Sequence, residues 1–177
     1  LEHNSGLQIE AYVIACFDDT GLDAAREITD KPVIGICEAA SHTASLISKK
    51  FSVVTTLSRS ITIIEENLEK YGLSRRCGGV FASDIPVLSL ESNPESYDRF
   101  LGIAKKSLQV SRGEALVLGC AGMANWRSRL ELDLNIPIID GVRCAIKLAQ
   151  SLVELNFKTS KVCSYALPEV KQNKTQT

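Results

Sequence analysis

Two cysteines follow apolar runs of the same shape, and thiols in such positions can carry out acid–base chemistry. Cys16 and Cys120 each end a short run of aliphatic residues of the kind that forms a buried strand. After each cysteine the chain passes through a turn and a helix-like pattern to a second apolar run, opened by Pro32 and by Pro137. The intervals from cysteine to proline differ by only one residue. We interpret this as an internal duplication that sets two thiols at matching positions of two α/β units.

A cysteine between a strand and a helix N-terminus is in an activating position. The unpaired N–H groups and partial positive charge of a helix end favour thiolate over thiol, so lowered pKa values are expected for Cys16 and Cys120. Two such groups facing each other could invert a stereocentre, since one thiolate removes a proton from a carbon acid and the opposed thiol protonates the other face. Either cysteine alone could be a small buried apolar residue. The duplicated placement favours a shared site.

An enolate-like intermediate needs hydrogen-bond donors, and the sequence supplies them beside each cysteine. Backbone N–H groups around the two thiols are expected to contribute, together with two hydroxyls that end the third strand. The carboxylate of Asp18 could accept a substrate N–H, or Asp18 and Asp19 could be turn and cap residues. The candidate substrate-binding residues are Phe17, Asp18, Thr55, Thr56, Ala121 and Gly122.

Other polar residues have weaker claims to the site. Glu38 could face the cleft or cap its helix, Asp140 could orient a loop or cap the next helix, and His42 is expected to be packed or exposed on a helix. Trp126 is assigned to the core. We assign the remaining cysteines, Cys37, Cys77, Cys144 and Cys163, to packing, and Arg75 and Arg76 to a solvated turn.

Strand and helix patterns alternate along the whole chain. Strands are predicted at 11–15, 31–36, 51–56, 77–82, 115–119 and 136–139, and helices at 22–28, 38–49, 60–71, 94–108, 126–134 and 142–155, with 84–90 extended. Alternation of this kind predicts an α/β fold with parallel strands and helices on both faces. Working residues in such folds lie at the carboxyl ends of strands, where both cysteines and both threonines are expected.

The bulk composition limits the classes of partner. A chain of 177 residues that is 45% hydrophobic and 23% charged fits a soluble globular protein. A net charge of −1 gives no case for nucleic acid or an anionic membrane, and no apolar run approaches the roughly 20 residues that span a bilayer. No cysteine pair or cysteine–histidine cluster has zinc spacing, so no metal is expected. No secretory signal is visible, which favours reduced thiols in the cytoplasm.

Only 15 residues precede Cys16, whereas two strand–helix modules precede Cys120 in the second unit. We therefore expect that this sequence begins inside the protein and that roughly 50 to 70 residues are missing. The alternative is a shorter protein with an asymmetric sheet.

Several segments resemble the hydantoin/allantoin racemase family, the branch of the aspartate/glutamate racemase superfamily that acts on cyclic ureides without a cofactor. The matching segments are 13–18, 32–35 with 38–40, 51–56, 84–88 and 118–123. The motif order agrees, and the similarity covers most of 11–155. In the amino-acid racemase branch the two cysteines are usually followed by Asn-Thr and Thr-His. Their successors here are Phe-Asp and Ala-Gly, which disfavours aspartate or glutamate as the substrate.

The resemblance implies two similar parallel-sheet α/β lobes related by pseudo-symmetry, with the active site in the cleft between them. The first lobe would comprise 1–50 and 142–177, and the second 51–141. Cys16 and Cys120 match the paired catalytic cysteines, and the implied reaction is racemisation at C5 of allantoin or a 5-substituted hydantoin, with assembly into homo-oligomers. The family's opening strand and its Asn-Pro-Asn-Thr-like loop are missing here, in agreement with the expected missing start. A decarboxylase or isomerase on this scaffold, or a non-catalytic ligand-binding relative, is the alternative.

Overall fold

The computed structural model describes residues 8–168, and the polar tail from residue 170, which the sequence predicts to be disordered, lies outside them. The strands are β1 (Tyr12–Ile14), β2 (Val33–Gly35), β3 (Phe51–Thr55), β4 (Cys77–Ala82), β5 (Ala115–Gly119) and β6 (Ile138–Asp140). The helices are α1 (Leu22–Ile28), α2 (Ile36–Ile47), α3 (Ile61–Lys70), α4 (Ser89–Ser92), α5 (Ser96–Ser111), α6 (Arg127–Leu134) and α7 (Gly141–Glu154). Within this part of the chain, no helix is both long and apolar enough to cross a membrane.

The alternation of strands and helices is confirmed, and every strand pairing is parallel. Helix α1 and strands β4 and β5 have the predicted bounds. The segment predicted as extended after β4 differs, because the chain turns at Pro86 and begins α4. The Ser89 N–H donates to the Pro86 carbonyl at 2.8 Å, which closes that turn.

The described strands form two sheets. One contains β1 and β2, and the other has the order β4-β3-β5-β6. Strands β3 and β5 lie in the centre of the larger sheet and are buried along their whole length. The proposed division into lobes at residues 51 and 141 stays a prediction.

Helices cover both faces of the larger sheet. Alternate strand residues point to opposite faces, so Val53 and Val117 pack with α2, α3 and α7, whereas Val54 and Leu118 pack with α4, α5 and α6. Helix α7 also contacts β1 and β2, and α2 contacts β2. These two helices therefore join the small sheet to the large one.

Two polar side chains satisfy backbone groups at helix ends, one at the start of α7 and one at the end of α2. The Asp140 carboxylate accepts the N–H groups of Val142 (2.9 Å) and Arg143 (3.4 Å), so Asp140 is the N-cap of α7. The chain turns at Arg75 and Arg76 and Arg75 is exposed, as predicted, but the Arg76 side chain is partly buried. Its guanidinium donates to the carbonyls of Ser45, Ser48 and Lys49, and so satisfies acceptors that the C-terminal end of α2 leaves unpaired.

Candidate active site

Cys16 is exposed and lies two residues beyond β1, in a turn that Asp19 closes. The Asp19 N–H donates to the Cys16 carbonyl at 3.0 Å. The Asp19 side chain, in a residue only 6% exposed, accepts from the N–H groups of Cys37 (3.1 Å) and Glu38 (2.9 Å) and from the Tyr71 hydroxyl (2.7 Å). Asp19 therefore ties the turn that carries Cys16 to the first turn of α2 and to the end of α3.

Burial and hydrogen bonds have opposite effects on the pKa of the Asp19 carboxyl. Burial raises the pKa of this carboxyl, and the three donors act in the opposite direction. Gly35 makes room for it, since a Cβ at that position would lie 2.4 Å from the Asp19 carboxyl. A side chain at residue 35 would therefore displace the group that holds the Cys16 turn.

The two residues after Cys16 have different environments. Phe17 is 4% exposed and belongs to the core, so only its backbone can face a ligand. Asp18 is half-buried, and its carbonyl accepts the Asn67 side-chain amide at 2.8 Å. One Asp18 carboxylate oxygen lies 3.5 Å from the Ser60 hydroxyl. Contacts with Asn67 and Ser60 therefore hold Asp18 in place. Its carboxylate can still accept further hydrogen bonds.

Cys120 comes directly after β5 and is half-buried at the start of the 3₁₀ turn Ala121–Trp126. The Gly122 N–H and the Thr56 hydroxyl donate to its sulfur. A Cβ on Gly122 would lie 3.0 Å from Leu90 and 3.8 Å from that sulfur. The absence of a side chain at Gly122, two residues after Cys120, thus leaves room for Leu90 beside the thiol.

The pKa of Cys120 is raised, chiefly by burial. The donors Gly122 and Thr56 lower it, and the negative charges of Cys16 and Asp18 raise it again. The predicted lowering is wrong for Cys120, because loss of solvent outweighs two hydrogen bonds.

The two threonines at the end of β3 act on the protein itself. Thr55 is 1% exposed and its hydroxyl donates to the Gly119 carbonyl at 3.0 Å, which links β3 to β5. The expectation that Thr55 binds the substrate stays a prediction. Thr56, also buried, directs its hydroxyl to the Cys120 sulfur. This hydroxyl lowers the pKa of Cys120, and a substrate-binding role for Thr56 stays a prediction.

The remaining candidates divide between packing and surface. Trp126 packs against Tyr97 and Phe100, with ring centroids 5.7 and 5.3 Å apart, as the core assignment predicts. Cys37 is buried, Cys77 and Cys144 are partly buried, and Cys163 is exposed, so the packing assignment is wrong for Cys163. His42 is exposed, and the Glu38 carboxylate pairs with Arg26 at 2.5 Å. Among residues 8–168, no three His, Cys, Asp or Glu side chains form a metal-binding group.

Sequence reasoning missed Asn67 and Tyr71, the two α3-region residues that hold the Cys16 turn. They lie about 50 positions away along the chain, at 49 residues from Asp18 and 52 from Asp19. No local pattern marks such partners. An amide and a phenol on an amphipathic helix are ordinary surface residues until the fold brings them to the turn.

Thr56→Val should raise the pKa of Cys120 further, because the valine removes a donor that stabilises the thiolate. Loss of one hydrogen bond to a charged group is worth about 1.5 kcal/mol or more, which corresponds to about one pKa unit. The pH dependence of Cys120 alkylation by iodoacetamide measures this change. Thr55→Val is the matched control, since its hydroxyl bonds to Gly119 and its loss should leave the alkylation profile in place. An unchanged profile in Thr56→Val would contradict the assignment.

Comparisons with known proteins agree with this arrangement. The family model described as Asp/Glu/Hydantoin racemase matches residues 1–149. The chain is 48% identical to a hydantoin racemase of Rhizobium meliloti, over 92% of this chain and 68% of that protein. Its fold is similar to the allantoin racemase of Klebsiella pneumoniae (TM-score 0.88, 41% identity), over 92% of this chain and 67% of that one.

A second solved allantoin racemase, from Pseudomonas fluorescens, superimposes with a TM-score of 0.91 at 35% identity, and covers 95% of this chain and 72% of its own. The chain thus spans about two-thirds of the length of these relatives. The family model covers most of the sequence, including both cysteines and the strands that position them. This chain belongs to the Asp/Glu/Hydantoin racemase family.

Proposed function

We propose that this chain is a cofactor-independent racemase that inverts C5 of a cyclic ureide, allantoin or a 5-substituted hydantoin. Cys16 and Cys120 are the two acid–base groups. The observation that supports the proposal is a shared core: Phe17, which follows Cys16, and Ala121, which follows Cys120, pack in the same apolar cluster, although the cysteines follow strands of different sheets. One thiol is exposed and the other half-buried, and the proposal places a small carbon acid between them.

In the proposed reaction, C5 of the substrate loses one proton and gains another. A thiolate at one cysteine removes the C5 proton, and the C5–H electron pair moves into the adjacent carbonyl to form an enolate. The thiol of the other cysteine then protonates C5 from the opposite face. The first cysteine is left as the thiol and the second as the thiolate, so the reverse direction starts from that state. Backbone N–H groups beside Phe17 and Ala121 are the proposed donors to the enolate oxygen.

The half-buried Asp18 carboxylate has a proposed binding role. A cyclic ureide presents ring N–H groups, and Asp18 retains acceptor capacity beyond its 3.5 Å contact with Ser60. An α-amino acid would instead bring a carboxylate toward this negative charge. The charge at Asp18 therefore favours a neutral ureide ring.

We further propose that the protein works in the cytoplasm as a homo-oligomer. The described cysteines are all unpaired, and the mechanism requires free thiols, which a reducing compartment maintains.

The direct test supplies purified protein with single enantiomers of allantoin and of a 5-substituted hydantoin. Chiral chromatography should show conversion toward the equal mixture well above the protein-free rate. Parallel assays with an arylmalonate and with maleate distinguish racemisation from decarboxylation and from isomerisation on the same scaffold. Ureide binding without conversion would indicate a non-catalytic relative, and turnover only of arylmalonate or maleate would overturn the proposal.

A further inference from the structure

An acidic groove runs along one edge of the larger sheet. It has a volume of about 430 Å³ and lies between α3 and β4, with Glu65, Glu66 and Glu69 on its helical side. All three glutamates are exposed. Within residues 8–168 their carboxylates take part in no ion pair, so this edge carries three negative charges without internal compensation.

A basic groove of similar size runs along the opposite edge. It has a volume of about 400 Å³ and is lined by β6, with Arg127, Arg143 and Lys147 around it. Arg127 is paired with Glu131 at 2.5 Å. Arg143 has no ion pair in the described part of the chain, and the Lys147 ammonium donates to the neutral side chain of Gln150. Asp140 also lines this groove, where its carboxylate caps α7. Three cations therefore stand against two carboxylates, Asp140 and the Glu131 that pairs with Arg127, and the edge keeps an excess of positive charge.

The two grooves are placed so that a second copy can join them. Strands β4 and β6 are the outer strands of the order β4-β3-β5-β6, and each pairs on one side only in residues 8–168. Helices α3 and α7, which carry the charges, pack on the same face of that sheet. A copy placed beside the β6 edge would therefore bring its own α3 next to α7.

We propose that copies of this chain associate head to tail, with the basic β6–α7 groove of one copy against the acidic β4–α3 groove of the next. Open strand edges are templates for pairing with another chain. Complementary charge selects which edges meet, since two acidic or two basic grooves would repel each other. The contact is heterologous, so each copy in the assembly uses both grooves.

The apolar side chains beside the charges support a protein partner over a small anion. Leu148 lines the basic groove and is 39% exposed, and Ile63 is 38% exposed on α3, the helix that carries the three glutamates. Exposed aliphatic surface gains from burial in an interface, and inorganic anions make no use of it.

Charge reversal on each groove tests the pairing. One variant carries Glu65→Lys, Glu66→Lys and Glu69→Lys, and the other carries Arg143→Glu and Lys147→Glu. Sedimentation velocity of the whole chain, from about 1 to about 100 µM, should show wild-type mass rising with concentration and falling in high salt. Each variant alone should associate at least about tenfold more weakly. An equal mixture of the two should associate again, because every contact in an alternating assembly is then between opposite charges.

The control variant, Lys105→Glu with Lys106→Glu, changes exposed charges on α5 on the other face of the sheet and should leave association unchanged. Circular dichroism of each variant checks folding, and the milder replacements Arg143→Gln and Lys147→Gln should weaken association in the same direction. A wild-type chain that stays a monomer throughout, or a mixture that stays apart, would overturn the proposal. Phosphate binding that is lost in Arg143→Glu, without self-association, would assign the groove to a small anion instead. Racemisation assayed in parallel separates this outcome from failure of the proposed function.

Discussion

Cys16→Ser and Cys120→Ser are each expected to lower the rate of racemisation by about 1,000-fold or more. A serine hydroxyl is far too weak an acid to replace a thiol as proton donor, and its conjugate base is not populated near neutral pH. General acid–base groups contribute about 100- to 10,000-fold each, and the proposed reaction needs both thiols in every turnover. Chiral chromatography of single-enantiomer substrate measures the loss.

Each single variant could still exchange the C5 proton of one enantiomer with solvent, because one base remains. Proton NMR in ²H₂O detects that partial reaction. Cys163→Ser and Cys144→Ser are the matched controls, since Cys163 is exposed and Cys144 is half-buried like Cys120, and both lie outside the site. Normal racemisation in both Cys16→Ser and Cys120→Ser would contradict the two-thiol mechanism.

Asp19→Ala should lower the free energy of unfolding by about 3 kcal/mol. The change leaves the Cys37 and Glu38 N–H groups and the Tyr71 hydroxyl without their acceptor in a buried site. Each unsatisfied buried donor costs about 1–3 kcal/mol, and local relaxation with water entry recovers part of the sum. Urea unfolding followed by circular dichroism measures the change.

Asp30→Ala is the matched control for Asp19→Ala. The Asp30 carboxylate pairs with Lys158 at 2.6 Å on the surface, where solvent screens the attraction, so its loss should change the free energy of unfolding far less than the loss of Asp19. Tyr71→Phe removes one of the donors to Asp19 and should cost about 1–2 kcal/mol. Because Asp19 closes the Cys16 turn, Asp19→Ala should also slow racemisation, whereas Asp30→Ala should not. Equal stability losses at Asp19 and Asp30 would refute this role.

The sequence predicts the fold well because the relevant signals are local. Buried strands such as β5 are uninterrupted apolar runs, and the turn residues between them interrupt the pattern. The placement of Cys120 follows from that pattern, since it comes directly after the last residue of β5. The small helix α4 was missed because a four-residue helix after Pro86 has too few residues to show a period.

The site is less predictable because its chemistry depends on distant contacts and on burial. A helix-end argument predicts a lowered pKa for Cys120, yet the half-buried position after β5 raises it. The sequence predicts a free hydroxyl at Thr55, because this residue ends a strand. In the structure, that hydroxyl donates to the Gly119 carbonyl of the neighbouring strand. Pairing between β3 and β5 spans more than 60 residues, and no local pattern specifies which carbonyl will be adjacent.

The two-thiol reaction is tested most directly by hydrogen exchange at C5 during early turnover in ²H₂O. Starting from one pure enantiomer, mass spectrometry of the separated enantiomers gives the deuterium content of product and of recovered substrate. Proton removal by one sulfur and delivery by the other predict deuterium in the product while the recovered substrate keeps its original hydrogen. Equal deuterium in both enantiomers from the first turnovers would show that a single group handles both faces, and would contradict the pairing of Cys16 with Cys120.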